Sequence, residues 1–282
     1  MIAIKMKPTP TKYLCRRPVI LLTLFLFSIS SSVISDSHAE TGKDTAAAMV
    51  QADDLMQQGR KAFNHGHFAD AVKCWQAAVS IYASHEKNSA SVDARYSLAR
   101  GFQALGKYSH ALATLDKALD AIPELKDFSR KRMHAKLLGA IGRMHILSGD
   151  LNAARQYLET GLEIAAKESQ LEVKAALNLS MGNLAVLENK PDAAVKYYGI
   201  SKKLADQADN SVLAAKAMIC AARIYSERQH NKKAIPLLKS VFKSLQKVPQ
   251  SHDKAYNQIA VGRLYARIHS TASEETENDL LR

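Results

Sequence analysis

Cysteine, tryptophan, proline and glycine are all scarce in this chain, with 3 Cys, 1 Trp, 7 Pro and 12 Gly among 282 residues. Three cysteines without close spacing exclude a disulfide-stapled scaffold and a cysteine metal cluster. Cys15 lies in the N-terminal segment, and Cys74 and Cys220 stand 146 residues apart, so burial as small apolar side chains is their expected use. So few prolines and glycines argue against a turn-rich β-protein. Aromatic residues supply only 6% of a chain that is 47% hydrophobic. Alanine fills much of the difference, which suits helices packed close together. Also missing are a Gly-rich phosphate loop, a catalytic triad pattern and a paired-carboxylate cleft. No catalytic residue, no cofactor and no metal are expected, and the chain reads as a non-enzyme.

What is present begins with a targeting pattern. Lys5, Lys7, Lys12, Arg16 and Arg17 precede a charge-free stretch from Pro18 to Ile34. Ser37-His38-Ala39 then offers a small-x-small site for a signal peptidase. The apolar character is dense only from Val19 to Phe27, and Ser28 to Ser32 dilute it, which is poor for a stable membrane span. The expectation is a signal peptide over residues 1–39, cut before Glu40, and a periplasmic or secreted protein; a retained anchor is the alternative. The formal charge of +12 falls to +8 without that segment, which holds five bases and one acid. Such a balance invites nucleic acid, but export removes the chain from cytoplasmic DNA and RNA. The basic residues are also not interleaved with stacking aromatics.

The main signal is an internal repeat. Ala71, Ala111, Ala154, Ala194 and Ala234 are separated by 40, 43, 40 and 40 residues. Twelve residues before each stands a very small residue: Gly59, Ala99, Gly142, Gly182 and Ala222. Four residues after each stands a bulky one: Trp75, Leu115, Leu158, Tyr198 and Leu238. Seven after, the residue is small in Ala78, Ala118, Gly161 and Ser201, with Val241 the exception. Two antiparallel helices approach closely only where one offers Gly or Ala, and a large partner side chain fills the adjoining hole. Five residues before the anchor, Gly66, Gly106 and Gly149 mark turns, with Asn189 and Gln229 as weaker equivalents. Pro191 suits a first helical turn, where a missing N–H costs nothing. Pro123 and Pro249 close two hairpins. A sixth unit starts at Gly262 and Tyr265, and its anchor falls on Glu274.

The order small–aromatic–Gly–aromatic–Ala, as in Ala99, Phe102, Gly106, Tyr108 and Ala111, resembles the tetratricopeptide repeat. The usual period of that family is 34 residues; a period of about 40 implies longer helices. The resemblance implies an all-α, right-handed superhelical solenoid of helical hairpins. Its expected extent is 40–270, five hairpins plus the first helix of a sixth, followed by a partial or frayed tail over 271–282. The Trp75 segment and Ser251-His252-Asp253-Lys254-Ala255 more loosely resemble the repeat arm of exported bacterial CHAT-domain proteins. On that reading the chain would be the regulatory arm of a peptidase that it does not itself contain. A third reading is an envelope-assembly factor contacting anionic lipid or polymer, with any membrane contact peripheral.

Solenoids expose a concave face lined by the first helix of each hairpin. The residue eleven before each anchor should face it: Arg60, Arg100, Arg143, Asn183, Arg223 and Arg263. Arginine recurs there although it supplies only 12 of the 243 residues after position 39. Its guanidinium fork suits the carbonyls and carboxylates of an extended ligand; an inherited solvated charge at one repeat phase is the plain alternative. Phe63 and Tyr96 add aromatic surface, and Ile146, Leu147, Leu179, Val186 and Leu187 add apolar surface, unless some of these are ordinary core. The expected partner is a protein or peptide segment carrying acidic and apolar residues. His65-Gly66-His67 lacks a third ligand for a metal. Asp53-Asp54 reads as acids early in a helix, and Lys202-Lys203 and Lys232-Lys233 as solvated faces.

Overall fold

The computed structural model describes the backbone of residues 32–125, 127–167 and 170–280, with side chains between Asp44 and Ser270 except at 124, 126–129 and 168–169. Residues 1–31 of the expected signal peptide lie outside the described residues. Its expected cut before Glu40 falls in the first helix, where only the backbone is described. The chain divides into a unit of Met1–Asp44 and a compact unit of Thr45–Arg282.

Among the described residues all regular structure is helical. Helix α1 (Ser32–Asn64) pairs with α2 (Phe68–Ser84), α3 (Asn88–Ala104) with α4 (Tyr108–Asp120), and α5 (Asp127–Ser148) with α6 (Leu151–Ala166). Then α7 (Leu171–Leu187) pairs with α8 (Pro191–Gln207), α9 (Ser211–Glu227) with α10 (Asn231–Gln246), and α11 (His252–Leu280) follows. The second helices begin 40, 43, 40 and 40 residues apart. The longer interval holds a one-turn 3-10 helix at Ile122–Glu124, which contains Pro123, and the 22-residue α5. Pro191 opens α8.

Each hairpin turns through one residue with left-handed backbone. Gly66, Gly106 and Gly149 have φ of 81°, 70° and 85°, and Asn189 and Gln229 share a φ of 58°. Around Gly66, Gly106, Asn189 and Gln229 the backbone bonds close a Schellman cap. Lys190 N donates to Ala185 O at 2.8 Å, and Asn189 N to Val186 O at 3.0 Å. The turn phase expected from the sequence is therefore one conformation in five hairpins, even where Gly is replaced.

The seams explain the repeat. The five anchor alanines are all fully buried, and Trp75, Leu115, Leu158, Tyr198 and Leu238 are at most 2% exposed. The small residue of each first helix meets the bulky residue of its own second helix. A Cβ added at Gly59 would stand 2.5 Å from Trp75 Nε1, and one at Gly142 would stand 2.8 Å from Leu158 Cγ. At Gly182 it would collide with the Tyr198 ring. At the next phase, Ser201 is fully buried and donates to Ala175 O of α7 at 2.8 Å, while Val241 fills the same place by volume.

Beyond the fifth hairpin the pattern changes. Gly262 is exposed, and a Cβ there would meet nothing within 4 Å, since among the described residues no second helix stands opposite it. The backbone of α11 continues helically to Leu280, through the segment expected to be a partial or frayed tail. The anchor phase at Glu274 therefore falls within α11.

Candidate functional site

The first helices of all six units wall one cavity of about 680 Å³. Hairpin geometry dictates this placement: the second helices carry the anchor alanines into the seams, leaving one face of each first helix for the concave side. Helix α3 contributes Tyr96 and Arg100, α5 contributes Arg132, Lys136 and Arg143, and α9 contributes Lys216. The acids on the wall are Glu172 of α7 and Asp253 of α11. Val173, Leu177, Leu179 and Leu213 supply an apolar stretch between these charges.

Five cations therefore face two carboxylates, and they act on the groups among them. Burial pushes the Tyr96 phenol up, but Arg143, Lys136 and Arg100 outweigh it together, and Arg143 also hydrogen-bonds the oxygen. The net result lies below the ordinary 10.0. Lys136 Nζ sits 4.0 Å above the Tyr96 ring and 3.9 Å from Asp93 Oδ1. Confinement by surrounding protein lowers Lys216 below 10.5, and Arg143 and Arg100 lower it further while Asp253 opposes them. Water reaches Lys216 from the cavity, and it makes no ion pair among the described residues. Such a wall favours an anion: a carboxylate entering it would meet preformed donors and relieve repulsion among like charges.

Of the residues expected on this face, Phe63, Tyr96, Arg100, Arg143 and Leu179 line the cavity together. Phe63 and Leu179 are also core residues, 7% and 6% exposed, so they show the cavity little more than an edge. The remaining expected residues do not line this cavity. Asn183 accepts a hydrogen bond from the Tyr198 hydroxyl at 2.8 Å, because the buried phenol needs a partner at the seam. Arg223 lies beside the same phenol and reaches Glu227 at 4.0 Å. Arg60 and Arg263 are exposed on α1 and α11. Ile146 and Val186 are half-buried and pack against the hydrophobic core. Leu147 and Leu187 are 47% and 53% exposed, but neither lines the cavity.

Sequence reasoning missed Arg132, Lys136 and Lys216, since none of them occupies the arginine phase. Arg132 and Lys136 stand eleven and seven residues before Arg143, so helical spacing from that position could have found them. The weak candidates elsewhere behave as ordinary surface. His65 and His67 have ring centroids 6.5 Å apart, and His65 Nδ1 is 2.8 Å from Lys61 O. Among the described residues no group of three His, Cys, Asp or Glu is arranged to hold a metal ion. No described helix is long and apolar enough to cross a membrane.

Residues 135–168, covering most of the third hairpin, match the tetratricopeptide repeat family. No curated protein matches the sequence. The crystal structure of the apo form of RapI is similar over 87% of this chain and 69% of its own, with 12% identity and a TM-score of 0.55. That of BtubC (BKLC) from P. vanneervenii is similar over 79% of this chain and 87% of its own, with 16% identity and a TM-score of 0.54. At these identities the likeness shows the fold. Residues 135–168 thus carry a tetratricopeptide-repeat match, and the chain has the all-helical fold of stacked hairpins that these structures share.

Proposed function

We propose that the chain is an exported scaffold that holds an acidic, partly apolar segment of a protein partner in the cavity. The observation that carries this reading is the wall itself: Arg100, Arg132, Lys136, Arg143 and Lys216 against Glu172 and Asp253, around an apolar middle. A volume of about 680 Å³ lies in the range of sites that enclose small ligands, so a few residues of a partner fill it. Electrostatic complementarity of this kind sets orientation and choice of partner more than raw affinity. The N-terminal pattern supports export, and sequencing of protein from the periplasmic fraction should read from Glu40; a start at Met1 in the membrane fraction contradicts it.

The binding test compares two triple variants of equal charge. Changing Arg100, Lys136 and Arg143 to Ala should weaken binding of an acidic, leucine-containing synthetic peptide by at least about tenfold, since each lost charge-assisted bond is worth ~1.5–3 kcal/mol when well formed. Changing Lys203, Lys232 and Lys239, which are exposed on second helices, should have little effect. Equal losses from both triples mean a general basic field and remove the cavity's special role.

A further inference from the structure

The first and last units of the solenoid meet at one small place on the rim of the cavity. His252, the first residue of α11, is wedged into the turn of the first hairpin. Its ring centroid is 4.9 Å from that of Phe68, edge-on at 87°, and 5.8 Å from that of Phe63. Beside it, Arg100 lies over the Phe63 ring at 4.8 Å and reaches Asp253 Oδ2 at 3.9 Å. These residues are far apart in sequence, and no core cluster joins the two elements.

The contact is thin compared with the anchorage of α11 on its other side. There Val261, Leu264 and Ile268 belong to the same buried cluster as Leu238 and Val241 of α10. Lys254 Nζ donates to Val248 O at 2.6 Å, and Asn257, 2% exposed, donates to Val212 O at 3.1 Å. At the rim the ion pair is open to water, with side chains 41% and 54% exposed, so it contributes little. His252 Nδ1 is buried without a hydrogen bond, 3.5 Å from Asp253 Oδ1. A buried polar atom left unmatched penalises closure. The face of α11 turned to its neighbours is held firmly from the first turn onward, and its contact with the first hairpin is not.

We propose that the first turn of α11 is a latch that occupies the partner's place. Asp253 holds Arg100 as a partner's carboxylate would, and His252 wedged against Phe63 and Phe68 keeps the rim shut. An acid entering the cavity takes Arg100 from Asp253, and the rim opens as it does so. The competitive part of this inference rests on the cavity's binding an acidic segment; the closure itself does not.

Two measurements on the full chain separate these parts. The first is affinity for a synthetic peptide of alternating Glu and Leu, with a Gln–Leu peptide as control. Asp253→Asn should tighten the acidic peptide by about fivefold, the scale of one exposed ion pair, and leave the control unchanged. In an Arg100→Ala background that gain should vanish. No gain, or an equal gain in both backgrounds, overturns the competition. The second is hydrogen exchange of the free protein. In the His252→Ala, Asp253→Asn double variant, the amides of Gly66 and His67, which donate to Phe63 O and Ala62 O, should exchange several-fold faster. Residues 261–268 should stay protected. Faster exchange confined to 252–260 is local fraying of α11, and it overturns the latch. If the double variant opens the turn yet no variant binds the acidic peptide, the latch stands and the peptide reading fails.

Discussion

In the seams the same class of residue recurs at each phase, and it does the same work each time. Ala71, Ala111, Ala154, Ala194 and Ala234 are all fully buried, and each bulky residue four places later fills the hole beside them. On the cavity wall, one repeat phase scatters into different environments. Arg100 and Arg143 line the cavity, Arg223 reaches Glu227, and Asn183 holds the Tyr198 hydroxyl. The difference is one of constraint. A seam is set by two neighbouring helices, so every hairpin poses the same steric problem and accepts the same answer. A cavity wall is set by six units together, and each position depends on what stands across from it.

The largest expected effect breaks this comparison on the seam side. Gly182→Leu drives a side chain into the Tyr198 ring and should cost about 3 kcal/mol or more. For a chain of this size the melting temperature should fall by about 10 °C. Gly262→Leu, at the matching position of α11, meets nothing and should leave it unchanged or slightly higher. Equal gains at both sites, as helix propensity alone would give, mean that seam packing does not govern the small-residue phase.

The same constraint explains how much was legible in the sequence. The hairpins, their turns and their seams could be read because volume alternation at Gly59 and Trp75, or Gly182 and Tyr198, is local to one hairpin. The 43-residue interval could be read as a spacing, but not as the 3-10 turn and longer α5 that fill it. The site was legible only where repeat phase and cavity coincide, at Phe63, Tyr96, Arg100, Arg143 and Leu179. Lys216 was hidden because its significance comes from units far apart in sequence, and Lys136 because it lies off the arginine phase. The contact of His252 with Phe63 was hidden for the same reason as Lys216. Asn183 and Arg223 kept the phase but were claimed by Tyr198, a side chain whose buried hydroxyl needs partners that a leucine at the same place does not.

A smaller effect sharpens the comparison on the cavity side. The anchor and bulky positions of the seams carry no charge, whereas the wall gathers cations that repel one another, and Lys216 stands among them. Confinement lowers its pKa from 10.5, so the folded protein binds this proton less tightly than the unfolded chain does. The charged lysine therefore opposes folding at neutral pH, and the penalty fades as pH rises through its lowered pKa toward 10.5. Lys216→Met should raise stability at pH 7 by less than about 1 kcal/mol, because water screens the site. The advantage over wild type should narrow in alkaline solution when both are unfolded by urea. An advantage that stays constant with pH assigns the gain to packing alone.

The smallest effect lies at the turns, where the repeat keeps a conformation although the residue has changed. Gln229 has a φ of 58°, in the left-handed region that Gly66, Gly106 and Gly149 also occupy. A side chain there crowds its own carbonyl by roughly 1–2 kcal/mol, and glycine avoids that cost while losing more entropy on folding. The cap itself does not depend on the side chain: His230 N donates to Tyr225 O at 2.7 Å and Gln229 N to Ser226 O at 3.0 Å, both through backbone. Gln229→Gly should therefore stabilise by about 0.5–1 kcal/mol, a rise in melting temperature of about 2 °C. Asn189→Gly, at the same φ, should gain less, since asparagine tolerates the left-handed region better than glutamine does. If Gln229→Gly destabilises the protein, the glutamine side chain makes a contact that outweighs its backbone strain. The turns would then belong with the cavity wall, where position matters more than phase.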